Sequence, residues 1–163
     1  MMEPIAFKTK RLQAATLDRA QPGLDQELRT LFTDSVSRYL PPDCSQLETQ
    51  DDVAQWLDRR LSIGTIVRIT LADQVAGYLF VFPEGTAQYR IGYVIAEPCW
   101  GQGLATEAMQ GLINHLADTG GRTRFIAGID PVNTASQKVL EKLGFGYDHT
   151  QAEIDYYVLE TNQ

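Results

Sequence analysis

Cysteine is scarce in this chain, with only Cys44 and Cys99 among 163 residues. They lie far apart and form no C-x-x-C pair, so the sequence offers neither a disulfide framework nor a zinc site. Histidine is equally sparse: His115 and His149 stand singly, and His115 falls at the polar edge of its helix, where a solvated histidine is the default. Long apolar runs are missing, and the start M-M-E-P-I-A-F-K has neither the basic region nor the apolar core of a signal peptide. No membrane span is expected, and the reading is a cytoplasmic protein, monomer or homodimer. Positive charge is in deficit: 14 Lys and Arg against 21 Asp and Glu leave a formal net charge of −7. Nucleic acid is not the expected partner, because a phosphate backbone demands a basic footprint. The balance favours a cationic, amine-bearing partner, and it obliges any anionic ligand to depend on local N–H groups and helix ends.

What is present fits one α/β domain spanning 1–163, long enough to bury a core without disulfides or a structural metal. The most informative stretch is Y-V-I-A-E-P-C-W-G-Q-G-L-A-T-E-A-M-Q-G-L-I-N-H-L-A, from Tyr93 to Ala117. Ile91 to Ala96 is a β-branched and aromatic run; Pro98 ends it, and Gly101 and Gly103 punctuate a turn. From Leu104 the spacing becomes helical, with Ala105, Ala108, Met109, Leu112, Ile113 and Leu116 on one stripe and Thr106, Glu107, Gln110 and Asn114 opposite. A strand, a glycine turn and a helix N-terminus together make an anion site, since the first helical N–H groups are unpaired and the helix dipole adds positive charge. The segment is neither a P-loop, for want of G-x-x-x-x-G-K-[ST], nor a dinucleotide fingerprint, for want of its third glycine position.

In chain order, Phe7–Leu12 reads as a short strand, and Leu24–Leu40 as a helix that must stop before Pro41-Pro42. Asp51 or Asp52 caps a shorter helix carrying Val53, Trp56, Leu57 and Leu61. Thr65–Leu71 and Val75–Phe82 form a hairpin, and Gln88–Ile95 adds a third antiparallel strand. The anion-binding turn and its helix follow, ended at Gly120-Gly121. Strand Arg124–Ile129, helix Asn133–Leu143 and strands Tyr147–His149 and Ile154–Leu159 complete the chain. The order β-α-α-β-β-β-α-β-α-β-β is an α+β plan with a mixed sheet.

Read together, W-G-Q-G-L-A-T-E-A (Trp100–Ala108) and D-P-V-N-T-A-S-Q-K-V-L-E-K-L-G-F (Asp130–Phe145) resemble the GNAT superfamily of acetyl-CoA-dependent N-acetyltransferases, in particular its ribosomal-protein N-acetyltransferase branch. In that superfamily the first segment follows Q/R-x-x-G-x-G/A. Here Trp100 replaces Gln or Arg, as is frequent in that branch, while Gly103 and Ala105 match. The resemblance implies the GNAT fold, with a sheet that splays between the strand ending near Ala96 and the one ending near Ile129 to admit acetyl-CoA. It implies a pyrophosphate held by the backbone of Gly101, Gln102, Gly103, Leu104, Ala105 and Thr106. It also implies a pantetheine arm paired with Val94, Ile95 and Ala96, with the N–H of Val94 or Ile95 toward the thioester oxygen.

Acetyl transfer needs the coenzyme held, the amine deprotonated and the developing oxyanion stabilised. Asn133 is placed as an N-cap, and the resemblance adds a contact with the coenzyme. Ser136 shares the buried stripe of Val139, Leu140 and Leu143, and a hydroxyl there needs a partner: a carbonyl one turn back, the coenzyme, or the departing thiolate. Relatives place a tyrosine acid where this chain has Leu140, so Ser136 or water serves, or no acid is needed. Glu97 is the nearest carboxylate in sequence for a general base, with Glu153 and Asp155 as later possibilities, and Tyr89 stands about where some relatives place a glutamate. Two functions are expected to compete: transfer of acetyl from acetyl-CoA to a primary amine, on a protein N-terminus or a small cationic molecule, and a non-catalytic acyl-CoA-binding module.

Overall fold

The computed structural model describes residues 2–117 and 121–162. Its strands are β1 (Ala6–Lys8), β2 (Leu12–Thr16), β3 (Thr65–Leu71), β4 (Gln74–Pro83), β5 (Gln88–Ile95), β6 (Arg122–Ile129), β7 (Gly146–Gln151) and β8 (Ile154–Asn162). They form one 8-stranded sheet in the order β1-β2-β3-β4-β5-β6-β8-β7. Every pairing is antiparallel except β5 with β6. The helices are α1 (Leu24–Leu31), α2 (Asp34–Ser37), α3 (Gln50–Leu61), α4 (Leu104–Leu116) and α5 (Thr134–Leu143). None among the described residues is long and apolar enough to cross a membrane.

Strand side chains alternate between faces, and here each face has its own helical layer. Ile91 and Ile95 of β5 join Val67, Leu79 and Phe125 in packing against Met109 and Leu112 of α4 and Leu140 of α5. Val94, Ile66 and Tyr78 point the other way, onto Leu28 of α1 and Trp56 and Leu57 of α3. Trp56, Tyr78, Phe125 and Met109 are fully buried. Each such side chain is worth on the order of 1.5–3 kcal/mol of transfer free energy. The mixed α+β plan therefore matches the expectation.

Two elements differ. The single strand Phe7–Leu12 is instead the hairpin β1–β2, closed by Thr9, whose N–H donates to the Leu12 carbonyl at 2.9 Å and whose hydroxyl accepts the Leu12 N–H at 3.0 Å. Helix Leu24–Leu40 breaks after Leu31. Phe32 leaves helical geometry at ψ 67°, and the Thr33 hydroxyl accepts the Val36 N–H to start α2 anew. Threonine offers the backbone this local alternative to helix continuation. At the end of α4 the helix stops at Leu116, before the predicted Gly120-Gly121, and Gly120 lies outside the described residues.

A charged knot fixes α1 to the sheet. Glu27 of α1 accepts from Arg68 Nε and Nη2 of β3 at 3.0 and 2.6 Å, and from the Tyr78 hydroxyl of β4. Burial opposes the Glu27 charge, but the Arg68 and Tyr78 bonds outweigh it and hold the carboxyl below its ordinary pKa. A carboxyl with a lowered folded-state pKa contributes stability above its unfolded pKa and loses it as pH falls through the folded one. Glu27→Gln should cost about 1.5–3 kcal/mol at neutral pH, and the gap to the parent should narrow only in acid below pH 4.5, the ordinary value from which the carboxyl is lowered. Urea unfolding at neutral and acid pH checks this; a gap unchanged in acid would deny the charge its role.

Candidate active site

The site exists because the two edges of β5 are treated differently. Toward β4 the strand is paired from Gly77↔Ile95 to Pro83↔Tyr89. Toward β6 pairing covers only Gln88↔Arg124, Tyr89↔Phe125 and Arg90↔Ile126. β6 is meanwhile paired with β8 from Arg122↔Asn162 to Ile129↔Asp155. The two central strands therefore part after Arg90 and Ile126, which is the splay that the resemblance implies. Ala96 donates its N–H to the Ala76 carbonyl at 2.8 Å. By the two-residue alternation of an antiparallel ladder, Val94 spends its backbone groups on β4, while Tyr93 and Ile95 turn theirs to the opening. The Trp100 indole N–H agrees, donating to the Ile95 carbonyl at 2.8 Å. Of Val94 and Ile95, it is Ile95 whose N–H faces the opening.

At the end of β5 the chain makes the expected glycine turn. Gly101 and Gly103 have φ of 76° and 75°, in the left-handed region that costs other residues roughly 1–2 kcal/mol. Gly103 is the N-cap of α4, and Glu107 is the first residue whose N–H reaches back, to the Gly103 carbonyl at 3.1 Å. The N–H groups of Leu104, Ala105 and Thr106 ahead of it are the free donors of a helix start. The turn is clamped from the β1–β2 hairpin. Arg11 donates through Nη1 to the Gln102 carbonyl at 2.8 Å and through Nε to Glu107 at 2.7 Å, and Thr9 bonds the same carboxylate at 2.5 Å. Desolvation disfavours the Glu107 charge, yet the Thr9 and Arg11 bonds keep its pKa lowered, so the clamp is ionic at neutral pH.

A cleft of about 650 Å³ runs along this turn between β5, α2, α4 and α5. Its walls carry Arg38, Lys138 and Lys142 and, among the described residues, no carboxylate, although the chain as a whole bears a net charge of −7. Local positive charge with free backbone N–H groups is the electrostatic signature of a phosphate-bearing ligand, and these residues fit the diphosphate of a coenzyme A. A second cavity of about 510 Å³ reaches through the splay to the other side of the sheet. Tyr93, Asn133 and Ser136 line both.

These three side chains form one hydrogen-bonded set. Asn133 caps α5 by accepting the Ser136 N–H at 3.2 Å, and its Nδ2 donates to Ser136 Oγ at 3.0 Å. Ser136 Oγ also lies 2.8 Å from the Tyr93 hydroxyl. Whichever hydroxyl donates in that pair, the hydrogen of the other is left unspent. Burial raises the Tyr93 pKa, with the Ser136 bond only partly offsetting it, so the phenol stays protonated at neutral pH.

Of the residues singled out from sequence, Val94, Ile95, Gly101, Gly103, Leu104, Ala105, Thr106, Asn133 and Ser136 line the coenzyme-sized cleft. Ala96 and Gln102 sit beside it, with the Ala96 N–H and the Gln102 carbonyl already committed as described. Glu97 is not brought in: exposed on a 3-10 turn, it accepts the Thr33 hydroxyl at 2.9 Å and lines neither cavity. Tyr89 is stacked on Phe125, Asp155 accepts from Thr150, and Glu153 lies in the β7–β8 turn. Sequence reasoning missed Tyr93, because a tyrosine within an apolar strand reads as core. The available signal was its parity with Ile91 and Ile95, which places it on the face that α5 covers.

A family model described as acetyltransferase (GNAT) domain matches residues 16–146. Over 79 residues the chain is 33% identical to the uncharacterized N-acetyltransferase YjdG of Bacillus subtilis (strain 168), a match covering 48% of this chain and 47% of that protein, so it spans about half the relative's length. Among solved structures, RimL, a ribosomal L7/L12 alpha-N-protein acetyltransferase in complex with coenzyme A, superposes with a TM-score of 0.81 at 20% identity, covering 95% of this chain and 97% of its own. Mycobacterium smegmatis RimJ in complex with CoA-disulfide gives 0.75 at 18% identity, over 99% and 90%. At such identities these structures speak for the fold. With the family match spanning most of the chain and the splayed sheet, glycine turn and cationic cleft in place, the chain belongs to the GNAT acetyltransferase family.

Proposed function

We propose that this protein is an N-acetyltransferase that moves acetyl from acetyl-CoA to a primary amine by direct transfer, acting as one domain. The observation that carries the reading is the meeting of two cavities at Tyr93, Asn133 and Ser136. One is cationic and fringed by free N–H groups; the other opens on the opposite side of the sheet. A module that only bound the coenzyme would need the first alone. The structural neighbour RimL is described as acting on the α-amino group of a ribosomal protein, which supports an amine acceptor of the N-terminal or small-molecule kind.

The coenzyme, when bound, supplies a thioester acetyl group. Leu104, Ala105 and Thr106 offer their N–H groups to its phosphates at the start of α4, with Arg38, Lys138 and Lys142 adding charge. Ile95 offers an N–H at the parted edge of β5, where a carbonyl oxygen gaining negative charge is best stabilised. In the transfer an N–C bond forms, the C–S bond breaks, the attacking nitrogen loses a proton and the sulfur gains one. The unspent hydroxyl hydrogen of the Tyr93–Ser136 pair is the chain's donor toward that sulfur. It takes the place of the tyrosine that Leu140 lacks. The demand is modest, because a thiol's pKa of about 8.5 makes thiolate a tolerable leaving group.

Acetyl-CoA, but not ATP or NAD, should raise the melting temperature by a few degrees, the effect of about 2.7 kcal/mol at a hundredfold excess over the dissociation constant. No shift at millimolar acetyl-CoA would defeat the assignment. Gly103→Val should abolish that shift while the circular dichroism of the fold survives, since a branched residue cannot hold the left-handed turn without strain. Tyr93→Phe and Ser136→Ala should each lower kcat and kcat/KM together by about tenfold, or ~1.4 kcal/mol. Acetyl-CoA affinity should stay within about twofold, because the donated bond strengthens only as charge reaches the sulfur. Loss confined to coenzyme affinity would make the pair a ground-state clamp instead.

A further inference from the structure

The second cavity contains more chemistry than an amine acceptor in general requires. Its walls carry six rings, those of Phe32, Tyr39, Phe80, Phe82, Tyr93 and Tyr156. Five charged residues also line it: Asp43, Arg59, Arg60, Arg90 and Asp130. Four of them are already engaged. Asp43 accepts from both Arg59 and Arg60, at 3.1 and 2.8 Å in their closest bonds, and Arg90 is paired with Glu84 at 2.5 Å. The Arg60 and Arg59 bonds hold the Asp43 carboxyl below its ordinary pKa, the former most strongly, so that cluster is a closed ion set.

Asp130 is the exception. Among the described residues it is the one carboxylate on these walls outside an ion pair. Half-buried at the end of β6, it uses Oδ1 to accept the Val132 N–H at 3.0 Å, which leaves Oδ2 uncommitted. Its own carbonyl accepts the Asn133 N–H at 2.9 Å. The carboxylate is thereby held on the short loop that ends at Asn133, the cap of α5 that bonds Ser136 where the cavities meet.

Resting on the transferase reading above, we propose that Asp130 recruits the acceptor as its ammonium, which gives up one proton to solvent before its nitrogen attacks, and that the acceptor is a monoamine with an apolar, ring-sized body. A cation near an unpaired carboxylate and aromatic faces is favoured, and the ring-lined wall removes apolar carbon from water. A second ammonium on the same molecule would find no second free carboxylate on these walls among the described residues. Asp43 is already shared between two guanidinium groups, and the surplus positive charge of Arg59 and Arg60 would repel it. Polyamines are thus disfavoured by the same walls that welcome a monoamine.

The test uses the full chain with phenethylamine and spermidine as probes, reading thiol release from acetyl-CoA and, separately, equilibrium binding of each amine by calorimetry in the presence of coenzyme A. Phenethylamine should exceed spermidine in kcat/KM by at least about tenfold, roughly the cost of one unpaired charge contact. Asp130→Asn keeps the Oδ1 acceptor for Val132 and removes only the charge. It should raise the KM and the dissociation constant for phenethylamine about tenfold, with kcat and acetyl-CoA affinity little changed, and Asp130→Glu should recover part of the loss. Preference for spermidine, or an Asp130→Asn variant that binds phenethylamine as the parent does, would overturn this inference and leave the transferase reading standing. Turnover of no amine by a parent protein that binds acetyl-CoA would overturn both.

Discussion

Everything functional in this protein follows from a parallel pairing that stops early. β5 and β6 share only the registers from Gln88↔Arg124 to Arg90↔Ile126, while each is paired along the whole of its other edge, β5 with β4 and β6 with β8. A sheet interior that opens in this way leaves main-chain donors and acceptors facing a gap. Such groups are costly to bury unpaired, so the gap is hospitable to an extended ligand that can bond to them. The packing keeps the opening in place. α4 and α5 brace one face of the parted strands and α1 with α3 the other, and the Glu27–Arg68–Tyr78 knot fixes the second layer to the half of the sheet before the split.

Electrostatics then divide the opening into two ends of different character. On one side the cations Arg38, Lys138 and Lys142 and the start of α4 share one cleft and oppose an unfavourable global charge there. Long-range repulsion from an acidic protein is screened over about 8 Å at physiological ionic strength, so local groups decide. On the other side rings and closed ion pairs line the wall. Tyr93 and Ser136 sit where the two regimes meet, which is where the proposed transfer would bring the thioester and the attacking nitrogen together.

Much of this was legible in the sequence. The glycine turn, the helix stripe of α4 and the cap at Asn133 are local devices, and each is written in consecutive residues whose conformational preferences do not depend on the rest of the fold. The inward face of Ser136 was legible for the same reason. The hairpin at Thr9–Arg11 and the break at Phe32–Thr33 were not, because each is decided by a threonine hydroxyl choosing a backbone partner against a weak propensity. That Tyr93 meets Ser136 and that Glu97 lines neither cavity are tertiary facts. Strand parity says which face a tyrosine takes but not that a serine waits there, and Glu97 lies next to the turn in sequence while its carboxylate turns to Thr33.

Amide hydrogen exchange measured residue by residue with and without acetyl-CoA tests most directly whether the parted edge of β5 receives the coenzyme. The N–H of Ile95, turned to the opening, should gain protection of about tenfold or more when the coenzyme is added, together with those of Leu104 to Thr106. That of Val94, already committed to β4, should change least. Coenzyme-dependent protection that leaves Ile95 and the start of α4 unaltered and appears elsewhere would contradict that placement of the coenzyme.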